Sequence, residues 1–442
     1  MNYSAQLKDV ARIMRSHGAH TVLFKLMANN DNSKQQVYCG SDFDILRNVP
    51  TGDIYEDGYS EKKGAIFKAK VSLSWIDLND NIQQASGSQF ILYPKYPEVR
   101  LSGLLKGCGL APSHLMQPPT PEEREQRLAG NLNRCLVFGI CQNSVLAYVS
   151  PWDSALSREA AHRIDSGESE LFTSVFYEYS ETLSKTPTRT KLIQRLNEIH
   201  HMGFIRSCRL DAAGNRIPYK AQNGAGLTLE SFFGITPNGK SEPDFLDWEL
   251  KAHSSGVVTL MTPEPDMGTY LDDFYTFLDT YATSRTARKI NFASIHRMNE
   301  PNEKSSLTMT LTGFDYSKSE ITDPKGGMVL MDPQENIAAG WSFQKLLNHW
   351  KRKHANTCYV SYQKELREEV PYFSYGPNIR LCTGANIKSY VSALADSVVY
   401  YDPGINMKLT NSKWKAKKRN QFRIKWKDVS SIYDATEDIV LS

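Results

Sequence analysis

A chain of 442 residues with 40% hydrophobic and 23% charged residues has the balance of a folded globular protein, which excludes a disordered or fibrous class, and it is long enough for two cores of ordinary size. The formal net charge of +3 excludes a uniformly polybasic binder, so any polyanionic partner must be met by charge concentrated locally. No run approaches the roughly 18–20 apolar residues of a membrane span, and no apolar segment follows Lys8, Arg12 and Arg15; neither an anchor nor a signal peptide is expected.

In chain order, residues 20–27, 65–76, 89–94 and 134–149 alternate or run apolar, with β-branched and aromatic side chains between Asn, Asp, Gly and Pro clusters. That spacing predicts a small strand-rich barrel or sandwich. Residues 150–184 turn polar, a linker or surface helix. Beyond 186, Leu192, Ile193, Leu196 and Ile199 fall at helical spacing, 229–235 reads as a second helix, and 257–261 and 328–331 read as buried strands, so this half is α/β. The expected organisation is a domain at 1–155, a linker at 156–185 and a second domain at 186–442. The seven cysteines are scattered, with no CxxC pair; this argues against a disulfide framework or structural zinc and fits a reducing cytoplasm.

The chemistry concentrates in two places. In the first, Gly226, Thr228 and Glu230 lead to Pro243 and Asp244, then Glu249 and Lys251. On an extended strand alternate side chains share a face, so Glu249 and Lys251 point together while Trp248 and Leu250 enter the core. Asp244 can fold back beside Glu249. Two converging carboxylates suit Mg²⁺, a hard cation that takes one or two carboxylates, waters and a substrate phosphate oxygen. Held by Asp244 and Glu249, it would polarise a scissile phosphate and acidify the attacking water, with Lys251 steadying the charge that develops. Glu230, from the preceding helix, would serve the cation's water shell or pair with Lys251. A Glu-x-Lys pair on a strand is, by itself, more often a solvated charge pair.

The second place lies between Pro403 and Lys427, which holds nine basic residues and no acidic one. Its interleaving with Trp414, Phe422 and Trp426 suits a nucleic-acid surface anchored to a fold. A charge run of this kind is otherwise a solvated face.

The ordered set Glu230, Asp244, Glu249 and Lys251 resembles the MvaI/BcnI branch of the PD-(D/E)xK nucleases, a branch related to the MutH nickases. Residues 260–265, Trp341 to Phe343, and 421–424 are similar to the same branch. The resemblance implies a mixed sheet flanked by helices, a monomer that hydrolyses phosphodiester bonds of short duplex sites with Mg²⁺, nicking the strands in turn, and base reading from C-terminal loops. It implies that Arg423 contacts guanine and Asp402 contacts cytosine, although Gly404 stands where the family has an arginine. Lys415, Lys417, Lys418 and Arg419 would touch phosphates.

In the N-terminal half, residues 24–36 and 95–100 are similar to the arms of the EcoRII-like effector domain, an all-β B3-like DNA-binding pseudobarrel. That implies Lys25, Asn30, Asp31, Lys34, Gln36, Lys95, Tyr96, Glu98 and Arg100 as DNA contacts. Both resemblances imply the duplex CCWGG, a second copy of the target bound by the first domain as in type IIE enzymes, and a cognate methyltransferase in the same system. A DNA-binding protein with an inert nuclease fold and a MutH-like repair nickase are the competing readings.

Overall fold

The computed structural model describes the chain apart from residues 1–3, 28, 30–34, 42–43, 97, 131, 170, 181–187, 222–223, 237–243, 247, 255 and 354–355. The chain packs as two units, one of Met1–Asp57 with Ile66–Lys185 and one of Gly58–Ala65 with Thr186–Ser442.

The first unit opens with helix α1 (Leu7–Ser16), whose Leu7, Val10, Ala11 and Met14 fall at i, i+3, i+4 and i+7 and are all buried. That stripe is what an amphipathic helix needs to dock on a sheet. The sheet has seven strands: β1 (Thr21–Met27), β5 (Leu73–Ile76), β6 (Ile82–Gln84), β9 (Arg134–Ile140), β10 (Val145–Val149), β11 (Leu171–Thr173) and β12 (Phe176–Glu178), in the order β11-β12-β1-β9-β10-β5-β6. Only β10 with β5 is parallel among the pairs given for it. Every residue of β9 and β10 is buried, so these strands read as continuous apolar runs because both faces are covered. On one face Val22, Phe24, Cys135, Val137 and Leu146 pack with α1 and with Leu156 and Ala160 of the helix Ala155–Asp165. A second sheet of five strands takes the order β2-β8-β7-β4-β3, from β2 (Val37–Gly40), β3 (Ile54–Ser60), β4 (Gly64–Lys70), β7 (Gln89–Tyr93) and β8 (Glu98–Ser102).

The unit is strand-rich as expected, yet helices cover part of it. The stretch 156–185, read as a linker from its polar composition, carries most of the helix Ala155–Asp165 and strands β11 and β12, and β12 pairs with β1. Its polar residues are the outer face of a helix whose other side is apolar.

The second unit is α/β. Its central sheet joins β13 (Ile205–Arg206), β26 (Val370–Thr383), β25 (Asn356–Arg367) and β16 (Glu249–His253), with β31 (Ala435–Val440) also on β26. β16 runs parallel to β25, with Glu249 opposite Thr357 and Lys251 opposite Tyr359, and β25 is antiparallel to β26. The sheet is therefore mixed. Two helices cover one face: Leu192, Leu196 and Ile199 from Thr188–His201, and Ala225 and Leu229 from Ala225–Phe232, share a core with Trp248, Leu250, Cys358, Val360, Phe373 and Leu381. The other face is covered by the turn Trp426–Ile432, where Tyr433 Oη meets Tyr359 Oη at 2.8 Å and donates to Thr357 Oγ1 at 3.1 Å.

β17 (Val257–Met261), β30 (Phe422–Lys425) and β27 (Val399–Tyr401) form a three-stranded sheet, and a four-stranded sheet combines β18 (Ser284–Thr286), β19 (Lys289–Phe292), β28 (Ile405–Thr410) and β29 (Lys413–Lys417). Another links β20 (Thr308–Thr312), β23 (Gly327–Met331) and β24 (Ile337–Ser342). β14 (Cys208–Leu210) pairs with β15 (Arg216–Pro218), and β21 (Phe314–Asp315) with β22 (Glu320–Ile321). Strands at 257–261 and 328–331 stand where the sequence placed them, and Ser342 Oγ accepts from Lys345 N at 3.0 Å at the start of the helix Phe343–Lys353.

The helix expected at 229–235 spans Ala225–Phe232 instead. Gly234 adopts φ +78°, a left-handed conformation that ends a helix and prevents it running on to Ile235. All seven cysteines are free thiols, and no described helix is long and apolar enough to cross a membrane.

Candidate active site

The candidate site is built on the turn that feeds β16. Phe245 N donates to Trp248 O at 2.9 Å and Trp248 N to Phe245 O at 2.8 Å, a reciprocal pair that closes a tight hairpin. Leu246 holds φ +54°, a sparsely populated region for a leucine. The same register carries Asp244 opposite Glu249, and cross-strand neighbours of this kind have Cβ atoms about 4.5–5.5 Å apart. Asp244 Oδ2 accepts from Leu250 N at 2.8 Å, which pins the aspartate to the backbone between Glu249 and Lys251.

Glu249 is 3% exposed, and Lys251 Nζ reaches its Oε1 at 3.2 Å with little of either side chain open to solvent. A buried carboxylate is costly unless a cation and hydrogen bonds compensate it, so this pair is a deliberate feature of the strand. The same face of β16 continues to His253, whose ring stacks on Trp426 at 3.8 Å, and the Arg380 guanidinium stands over the Trp426 ring at 4.6 Å. Burial, then the Arg380 charge, push the His253 pKa down to about 4, so the ring is neutral near pH 7. Trp426 was expected only as an anchor of the basic stretch and His253 went unassigned in the sequence, although the period-two rule that linked Glu249 to Lys251 extends to His253.

The structure thus brings Asp244, Glu249 and Lys251 together, with Trp248 and Leu250 facing the core at 5% exposure. Glu230 comes from another element. It lies in the last turn of Ala225–Phe232, and its Oε1 lies 3.7 Å from where a Cβ on Gly226 would stand. Among the described residues no group of three or more His, Cys, Asp or Glu side chains is placed to hold a metal ion. The donor set still fits a hard divalent ion: Asp244 and Glu249 are oxygen ligands, and Mg²⁺ needs only one or two carboxylates from the protein. Pro243 lies outside the described residues.

Of the C-terminal candidates, Arg423 on β30 and Asp402 just after β27 pair with each other through Nη1 and Oδ2, both partly exposed. Lys415 and Lys417 stand exposed on β29. Lys418 turns elsewhere, its Nζ 4.6 Å from the Phe274 ring and 3.8 Å from Glu264 Oε2. The Arg419 carbonyl accepts from Gly404 N at 2.8 Å. A Cβ at Gly404 would stand 3.4 Å from Arg419 Cδ, an ordinary contact distance, so packing does not explain the glycine at the position that departs from the resemblance.

In the first unit, Asn30, Asp31 and Lys34 lie outside the described residues. Gln36, Glu98 and Arg100 come together: Arg100 Nη2 reaches Glu98 Oε2 at 2.9 Å and Nη1 reaches Gln36 Oε1 at 3.5 Å. Lys95 stands over the half-exposed Tyr96 ring at 5.8 Å. Lys25 is set inward, donating to Tyr38 O at 2.6 Å and facing the Phe176 ring; burial, only partly offset by Cys39, lowers its pKa.

The profile of the MvaI/BcnI restriction endonuclease family matches residues 193–433. No curated protein matches the chain. Among solved structures, the chain is similar to restriction endonuclease MvaI in complex with its cognate DNA substrate, at 17% identity over 59% of this chain and 100% of that one, with a TM-score of 0.47. It is also similar to MvaI in the absence of DNA, at 16% identity over 58% and 99% of the two chains and a TM-score of 0.33. The matched segment exceeds half of the chain and contains Glu230, the Asp244 turn and strand, and the Asp402–Arg423 pair, and the chain belongs to the MvaI/BcnI restriction endonuclease family.

Proposed function

We propose that the chain is a Mg²⁺-dependent type II restriction endonuclease that hydrolyses both strands of duplex DNA at CCWGG, with Glu230, Asp244, Glu249 and Lys251 as its catalytic set. The observation that carries this reading is the hairpin that lays Asp244 against the Leu250 amide and opposite Glu249, two residues before Lys251. Asp244 and Glu249 would hold the cation, which when bound neutralises phosphate charge and makes water a better nucleophile. Lys251, tethered by Glu249, is poised to donate to a phosphate oxygen as negative charge builds. Glu230 adds a carboxylate from the adjoining helix for the cation's solvent shell.

On the same reading, Arg423 offers its planar fork to guanine O6 and N7, Asp402 accepts from the cytosine amino group, and Lys415, Lys417, Lys418 and Arg419 meet phosphates. The first unit is assigned the role of a B3-like effector domain. Its clustered Gln36, Glu98 and Arg100, with Lys95 and Tyr96, have the donors and acceptors to read a second copy of the target, which makes the enzyme type IIE. Tethering two readers on one chain raises the local concentration of the second site without a subunit interface, so a monomer suffices. A cognate methyltransferase would protect host DNA.

The test is a plasmid carrying CCWGG incubated with the protein in Mg²⁺ or in chelator. Linear product in Mg²⁺ alone supports the proposal. Specific binding without any break supports an inert nuclease fold instead, and a product that stays nicked supports the repair-nickase reading.

A further inference from the structure

A second guanidinium stands on the same sheet face as Arg423. His296 and Tyr401 bridge antiparallel, with His296 N donating to Tyr401 O at 2.8 Å and Tyr401 N to His296 O at 3.1 Å. That register sets Arg297 opposite Tyr400, and Tyr400 is in turn the partner of Arg423. Directly opposed residues share a face, so the row runs Arg297, Tyr400, Arg423. The Arg297 guanidinium stands over the Tyr400 ring at 5.0 Å; burial raises the Tyr400 pKa, with smaller effects from Arg423, which lowers it, Asp402, which raises it, and Arg297, which lowers it. Arg297, Ser294, Asn302 and Asp402 line one open depression of about 540 Å³.

The segment carrying Arg297 is held rigid. His296 is fully buried and its Nε2 lies 2.8 Å from Ser305 Oγ. Asn302 Oδ1 accepts from Lys304 N, Ser305 N and Ser294 Oγ at 3.0–3.1 Å, and its Nδ2 donates to Ile295 O at 2.7 Å. An arginine stacked on an aromatic ring and mounted on a pinned loop loses little freedom on binding. The lysines of β29, by contrast, are exposed along the whole strand.

We infer that Arg297 is a specificity-determining residue that reads a guanine in the major groove, on the opposite side of Tyr400 from Arg423, with Asp402 between them to accept from a cytosine amino group. Two forks and one acceptor match G·C pairs, which present O6 and N7 acceptors on guanine and an amino donor on cytosine. The inference rests on the nuclease reading of this unit.

Binding of Arg297→Lys, Arg297→Ala and the unchanged protein is measured in chelator against a CCWGG duplex, its single-base-pair variants and a scrambled duplex. Lysine keeps the charge and loses the fork. Both substitutions are expected to reduce discrimination at one G·C position by about tenfold to a hundredfold while leaving affinity for the scrambled duplex within about twofold for the lysine variant. A lysine variant that discriminates as well as the unchanged protein, or a loss spread evenly over all duplexes, overturns the inference and leaves the nuclease reading intact. An unchanged protein that does not prefer CCWGG over the scrambled duplex overturns both.

Discussion

Replacing Asp244 separates chemistry from structure, because its carboxylate carries two tasks. Oδ2 accepts from Leu250 N at 2.8 Å, and the other task, on the proposed function, is to hold a cation with Glu249. Asp244→Asn keeps an acceptor for the amide but replaces a charged hydrogen bond by a neutral one, a loss of about 1 kcal/mol. Asp244→Ala leaves the amide of Leu250, a residue only 5% exposed, without its partner, which costs about 1–3 kcal/mol more. At roughly 2–4 °C per kcal/mol for a unit of this size, the asparagine variant should melt a few degrees low and the alanine variant distinctly lower. Cleavage should fall alike in both: losing one carboxylate ligand removes several kcal/mol of transition-state stabilisation, on the order of a thousandfold at 1.36 kcal/mol per decade. Plasmid cleavage in Mg²⁺, thermal melting and DNA binding in chelator together read this out. An asparagine variant that cuts at the original rate would refute the ligand role; equal melting of the two variants would refute the amide contact.

Lys251→Met leaves a nearly buried Glu249 carboxylate behind and should destabilise the unit by about 3–5 kcal/mol, while Glu249→Gln combined with Lys251→Met recovers most of it; urea titration of the two variants and the unchanged protein decides. His296 is fully buried and burial lowers its pKa to about 4, below the usual value near 6.5. The unfolded chain therefore binds the extra proton first, so stability is intact above about pH 6.5 and is lost progressively as pH falls toward 4. From pH 7.5 to pH 5 this one ring should account for about 2 kcal/mol, and His296→Gln should shrink the measured fall by that amount. Substituting Lys415 and Lys417 by alanine should lower the slope of log K against log salt by about 0.9 for each lost phosphate contact, with sequence preference unchanged. Arg100→Ala should abolish the stimulation of two-site DNA over one-site DNA and leave single-site cleavage as it was; equal loss on both substrates would exclude an effector role for the first unit.

The strand that bears Glu249 and Lys251 was legible because its signal is local. Period-two alternation places Glu249 with Lys251 and Trp248 with Leu250 whatever the rest of the chain does, and the folding back of Asp244 needs only a four-residue turn. Helix ends were less legible: the helix bearing Glu230 was set four residues late because its apolar residues continue past Gly234, whose left-handed backbone stops it. Helix α1 was missed although Leu7, Val10, Ala11 and Met14 carry a clean helical period, since the N-terminus was weighed only for a leader. The stretch 156–185, a linker or surface helix by its composition, holds most of the helix Ala155–Asp165 and also two strands that its composition did not show. β11 and β12 are three residues each, too short to show a period, and β12 is held by pairing with β1, which no local window contains.

Contacts between distant segments were the least legible of all. Arg423 and Asp402 were each read as facing DNA, and only the pairing of β27 with β30 shows that they face one another first. Arg297 drew no notice in a segment without a motif; it enters the same surface through the bridge of His296 to Tyr401. His253 and Trp426 likewise meet across more than a hundred and fifty positions of chain.

The most direct measurement of the central claim is to incubate the protein with a long DNA in Mg²⁺ and sequence the ends that form. The account predicts breaks on both strands at CCWGG and none elsewhere, and no breaks from the Asp244→Asn variant. Intact DNA, ends at unrelated sequences, or ends produced equally by that variant would contradict it.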